Sequence, residues 1–85
     1  MAKMNIYVTY DTDAEQFNTR TFHAQNDKMA KRIINDSMEQ DNSFKRNAKK
    51  IELWCLGEYD IEAGEIKAQK RNLGTCDKLT STASE

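Results

Sequence analysis

One stretch constrains this chain more than any other: Ile51 to Lys67, IELWCLGEYDIEAGEIK. It holds the longest uninterrupted apolar run, Leu53-Trp54-Cys55-Leu56, with Gly57 and Gly64 close behind. Residues 51–56 are β-compatible, Asp60 to Gly64 supplies turn chemistry, and Glu65 to Arg71 returns to alternation. The pattern predicts a β-hairpin whose loop ends in a glycine free to take φ > 0. Four consecutive apolar residues put apolar groups on both faces of a strand, so this strand belongs inside a sheet rather than at its edge.

Upstream, Met4 to Tyr10 alternates Ile6, Val8 and Tyr10 against Tyr7 and Thr9, the period of a second strand. The acidic DTDAE of residues 11–15 is a turn. As a calcium loop starting at Asp11 it would need glycine sixth and glutamate twelfth, where Gln16 and Phe22 stand. Residues 18–24, NTRTFHA, are weakly strand-like and fit beside the first strand. Asn26 or Asp27 makes an N-cap for a helix over the following residues, with Met29, Ala30, Ile33, Ile34 and Met38 on one stripe. Asp41 to Asn47 is expected as a loop, with Phe44 as its anchor into the core. The expected fold is therefore α+β: a small antiparallel sheet of three to four strands with one helix packed on one face, in the order β-(β)-α-β-β.

A chain of 85 residues is one domain with a single modest core, placed at residues 1–75, followed by a polar tail at 76–85. No run is apolar enough to span a membrane, and the start MAKMNIYV lacks a signal-peptide core, so a cytoplasmic location with reduced cysteines is expected. Cys55 in the apolar strand reads as a small buried hydrophobe, and Cys76 as a tail residue open to solvent. With His23 the only histidine, no metal-ligand spacing arises. The glycines are too dispersed for a phosphate loop, and no nucleophile and histidine can be placed together. The chain is expected to be no enzyme and to carry no cofactor.

What remains is surface. Net charge is −1, but the basic residues are clustered: Lys45, Arg46, Lys49 and Lys50 in one run, Lys67, Lys70 and Arg71 in another. Either is an ordinary solvated face unless the fold joins them into a phosphate-contacting patch. One helix covers one face of a sheet. Alternation along the central strand then leaves Trp54 and Leu56 on one face and Leu53 and Cys55 on the other, with Tyr7 a candidate neighbour of Trp54. Three coverings are open for the Trp54 face. A second copy would bury it in a symmetric homodimer. Single-stranded DNA would stack bases on Trp54 or Tyr7 while lysines and arginines track the backbone, with Arg32 of the helix a further contact. Phe17 and Phe44 would fold over it and close it.

Several segments together resemble a known family. They are IYVTYDTDAEQF, TFHAQNDKMAKRII and, most specifically, Leu56-Gly57-Glu58-Tyr59-Asp60 with Gly64 four residues on. The chain, to about Leu73, resembles the small non-structural protein of gokushovirus-type microviruses, phages with single-stranded DNA genomes. The resemblance implies a phage protein in the host cytoplasm that binds single-stranded DNA in genome replication or packaging. Two departures stand out. Thr21 replaces a proline common before the phenylalanine, and the basic Asn47-Ala48-Lys49-Lys50 replaces an acidic, proline-containing approach to the central strand. The second suits phosphate better than the family's own pattern. A protein–protein module engaging phage or host replication proteins, without touching DNA, is the alternative; the near-neutral charge and acidic loops fit it.

Overall fold

The computed structural model describes residues 3–83, with side chains described as far as Leu79. The central strand forms where the apolar run requires it. Strand β4 (Ile51–Asp60) lies between β1 (Lys3–Asp11) and β5 (Glu65–Thr75), all antiparallel. Two short strands, β2 (Gln16–Phe17) and β3 (Phe22–Ala24), pair with β1 on its other edge, which brings the sheet to five strands. The weak threonine-rich segment contributes only its last three residues as strand, because Asn18 instead turns the chain: its side-chain oxygen accepts from the Arg20 amide at 3.0 Å. The acidic stretch is a turn held by its own chemistry, Asp11 Oδ1 accepting from the amides of Asp13 and Ala14 at 2.9 and 3.2 Å.

The β4–β5 turn closes in the same way. Asp60 Oδ1 accepts from the Glu62 and Ala63 amides at 3.1 and 3.2 Å, the Gly64 amide donates to the Asp60 carbonyl at 2.8 Å, and Gly64 has φ +68°. Helix α1 (Asp27–Gln40) starts at Asn26, whose side chain accepts from the Met29 amide at 2.9 Å. Only Ala30, Ile34 and Met38, one turn apart, are buried; Met29 and Ile33 keep about two-fifths of their surface in water.

Two further helices differ from expectation. Asp41 accepts from the Ser43 and Phe44 amides and starts α2 (Asn42–Arg46) where a loop was expected, while Phe44 packs on the core as anticipated. A 3-10 turn, Ala48–Lys50, leads into β4. From residue 76, where a polar tail was expected, the chain forms α3 (Cys76–Ala83), with Cys76 and Leu79 buried in the core; Ser84 and Glu85 lie outside the described residues. Three positions apart, these two side chains share one helix face, and the core they complete outweighs a composition of small polar residues.

Cys55 is buried as expected; Cys76 is buried too, contrary to its expected exposure. Burial and the neighbouring Asp77 carboxylate push the Cys76 thiol up to about 12. Because thiolate is the reactive form, alkylation of Cys76 in the native protein at mildly alkaline pH should run on the order of a thousandfold slower than in denaturant. Mass-resolved labelling of Cys76 with and without guanidinium measures this; equal rates would mean that α3 does not dock.

The core is a single cluster. It joins Tyr7, Ala24, Leu53 and Cys55 of the sheet to Ala30, Ile34, Met38, Ala48, Cys76 and Leu79 of the helical segments. Each helix that contributes a buried residue therefore lies on one face of the sheet, and none among the described residues covers the other face. No helix among the described residues is long and apolar enough to cross a membrane.

Candidate functional site

Register decides what the helix-free face shows. Tyr7 lies opposite Cys55 and Val8 opposite Trp54, so Tyr7 points into the core and Val8 shares a face with Trp54. Tyr10, two residues on from Val8, pairs across from Phe17. The result is an aromatic group of three rings. Tyr10 and Phe17 centroids are 4.6 Å apart, Phe17 and Trp54 5.7 Å, and Tyr10 and Trp54 6.5 Å, all in tilted or edge-on orientations. Lys70 of β5 reaches across them, its Nζ 5.4 Å from the centroids of both Phe17 and Trp54. The Trp54 indole N–H donates to Glu52 Oε1 at 3.0 Å, which fixes the ring's rotation. Val8 is 1% exposed on a face without a helix, so these rings are what shields it. Phe17, by contrast, leaves 38% of its surface in water.

Tyr7 is the clear correction. It is fully buried, its ring stacks on Phe22 at 5.6 Å, and its hydroxyl donates to Asp27 Oδ1 at 2.7 Å while accepting from Asn5 Nδ2 at 3.0 Å. No base can reach it. Burial first, then the bond to Asp27, pushes its phenol well above the ordinary range. Phe44 also lies on the core side and cannot fold over the open face. Tyr10 takes the place expected of Tyr7, and of the two phenylalanines expected over this face only Phe17 lies there.

The two basic runs are not joined. Lys50 sits where β4 begins and Lys67 faces Glu58 near its far end, about 25 Å away along an extended strand. Lys45 and Arg46 are exposed on α2, and Lys49 and Lys50 on the 3-10 turn at the end of the sheet that carries Tyr10 and Glu52. Lys50 pairs with Asp13 at 3.2 Å, but both side chains are more than half exposed. Such a pair contributes well under about 1 kcal/mol and yields readily to a phosphate. Arg71 differs: it grips Asp27 through two bonds of 2.9 and 3.1 Å on the core side. The bidentate bond raises the arginine and, with the Tyr7 bond, holds the Asp27 carboxyl below the usual carboxylate range. Arg71 is thus a structural clamp. Arg32 is exposed on α1, in the layer behind the sheet. Of the ten residues nominated from sequence, Trp54 and Lys70 meet directly, and Lys49 and Lys50 lead into β4 at the end that carries Tyr10, while Lys45 and Arg46 sit on α2 among the helices.

A cluster of stacked-edge rings with an ammonium over them can receive a flat π-system bearing negative charge. Among the described residues, no three His, Cys, Asp or Glu side chains gather as a metal site would need. Compared with known sequences, the chain matches the family model of the phage ORF5 protein over residues 4–79. No curated protein and no solved structure matches it.

Proposed function

The chain belongs to the phage ORF5 protein family, and we propose that it is a non-enzymatic binder of single-stranded DNA that acts in the host cytoplasm. The observation that carries this is the Tyr10–Phe17–Trp54 group on the helix-free face, with Lys70 5.4 Å from two of its rings. Unpaired bases stack on aromatic side chains whatever their sequence, and a nearby ammonium contacts the phosphate between them. Lys49 and Lys50 extend the positive track beyond Tyr10, and a strand that continued round the end of the sheet would meet Lys45 and Arg46 of α2; Lys67 serves only a strand that runs the length of β5. The likeness to the small microvirus protein supports a phage with a single-stranded genome and a role in its replication or packaging. One consideration favours the alternative module that binds replication proteins without DNA: Asp27 holds Arg71 on the core side, so one of the seven nominated strand cations is turned away from the aromatic face.

Anisotropy of a labelled oligothymidine separates these. Trp54→Ala should weaken binding by about tenfold to a hundredfold, the worth of one stacked base. Lys70→Glu should weaken it and flatten its salt dependence, while Arg32→Glu changes neither. Unchanged affinity in a folded Trp54→Ala protein, or no binding at low salt, would leave the protein-binding module as the better account.

A further inference from the structure

Strand β5 ends the sheet. In the order β2-β1-β4-β5 nothing among the described residues pairs with its outer edge, although at 11 residues it is the longest strand described. Residues 65–70 are all exposed, and Ile66, with 66% of its surface in water, is the most exposed large hydrophobe. Natural edges are usually blunted by proline, a short length, charged side chains or a covering segment, and of these β5 has only its charges, Glu65, Lys67, Lys70 and Arg71. The chain contains no proline, and α3 follows only after Thr75. Lys70 lies over Trp54 on the helix-free face and Arg71 bonds Asp27 on the other, so alternation puts Ile66 and Ala68 with Lys70, and Glu65, Lys67 and Gln69 with Arg71, while the register with β4 slips between Ala68 and Arg71.

From this edge we infer that β5 pairs antiparallel with β5 of a second copy, about a two-fold axis perpendicular to the sheet at Ala68. The side chains select that register. Centred on Ala68, Glu65 faces Arg71 of the second copy, Ile66 faces Lys70, and Lys67 faces Gln69, each contact occurring twice. Opposite charges meet and no like charges do. Arg71 spends two N–H groups on Asp27 and keeps others to donate. Moving the centre to Lys67 or Lys70 sets each against itself, and Gln69 sets Lys67 against Arg71. A centre at Ile66 reaches the 61–64 turn after three paired residues. The exposed Ile66 also gains the methylene stem of Lys70 as cover.

Pairing of this kind does not depend on DNA binding. Its consequence does: an axis perpendicular to the sheet leaves both aromatic groups on the same face, and a strand of DNA could run from one to the other. The test uses the whole chain without DNA. Sedimentation at about 100 μM, ample for a micromolar dimer, should show a dimer. Ala68→Cys places two thiols directly opposite across the axis, within disulfide reach, whereas Ile66→Cys places them about 13 Å apart. Most of the Ala68→Cys protein should therefore cross-link on mild oxidation and little of the Ile66→Cys protein; the native thiols are buried. A monomer, whose edge is then open to a strand of some other protein, overturns the pairing. So does a dimer in which Ala68→Cys fails to cross-link or Ile66→Cys does so equally well. Each of those results leaves the oligothymidine titration to stand or fall by itself.

Discussion

Replacing Gly57 with alanine should destabilise the protein by about 3 kcal/mol and lower its Tm by roughly 15 °C for a chain of this size. Gly57 has φ +154°, a backbone conformation that side-chain-bearing residues rarely adopt. It lies where the register between β1 and β4 slips: Ile6 faces Gly57 but Tyr7 faces Cys55, so Leu56 is an extra residue in β4. At that irregularity β5 comes close, and a Cβ on residue 57 would lie 2.2 Å from the Lys67 carbonyl oxygen. Backbone, unlike the end of a flexible side chain, cannot turn aside. The central strand would have to move away from β5, and Lys70 with it. Gly64→Ala is the control. Its φ of +68° is strained for alanine, but nothing lies within 4 Å, so the cost should stay near 1 kcal/mol. Thermal unfolding of the two variants beside the native chain checks both. A Gly57→Ala protein melting within a few degrees of the native one would mean that the bulge does not exist as described.

A second large effect is expected at Asp27, where α1 meets two strands. Its carboxylate accepts the Tyr7 hydroxyl at 2.7 Å and both Arg71 nitrogens at 2.9 and 3.1 Å, tying β1, β5 and the first turn of α1 together. Asp27→Asn replaces one acceptor oxygen by a donor and disrupts the clamp. The buried Tyr7 hydroxyl and the arginine then compete for one oxygen, a loss of about 2 kcal/mol. Most of this belongs to Tyr7, because Arg71 is 41% exposed and water can replace its partner. The pH dependence follows from direction. The Arg71 bond, against the opposing effect of burial, lowers the Asp27 pKa in the folded protein, so the folded state binds this proton less readily than the unfolded chain. Its stabilisation is complete above the unfolded value of about 3.9 and fades as pH falls through the lower folded value. Urea midpoints measured against pH should show the gap between native and Asp27→Asn proteins closing below about pH 4. A gap constant from neutral to acid would remove Asp27 from this role.

How much of the fold and the site is legible in the sequence depends on the distance over which each feature is decided. The Asn26 cap, the Asp60–Gly64 turn and the central place of β4 are written in residues that touch their near neighbours, and each forms as expected. The face chosen by Tyr7 is not legible. Alternation separates Tyr7 from Val8 and Tyr10, but only Asp27 and Arg71, 20 and 64 positions away, decide which set goes under the helix. Arg71 in turn reads as a surface cation because its neighbours are lysine and asparagine. Helix α3 has no stripe to announce it; Cys76 and Leu79 suffice because a core already awaits them. Tyr10 and Phe17 do leave a signal, since both flank the acidic turn and so face each other across it. That flanking arrangement sets two rings opposite each other on neighbouring strands; only the β1–β4 register, with Val8 opposite Trp54, brings them to Trp54.

Trp54 is the only tryptophan, and it sits within the aromatic group, so its own emission reports most directly on the proposed DNA platform. Titrating the native chain with oligothymidine at low salt should quench or shift that emission to saturation. The midpoint should move to higher DNA concentration as salt rises, with a slope set by a few released counterions. Duplex DNA, its bases already stacked, should do much less. Saturable, salt-sensitive quenching by single strands is the result expected. Trp54 emission that stays unchanged while the same oligothymidine is added well beyond micromolar concentration would contradict it.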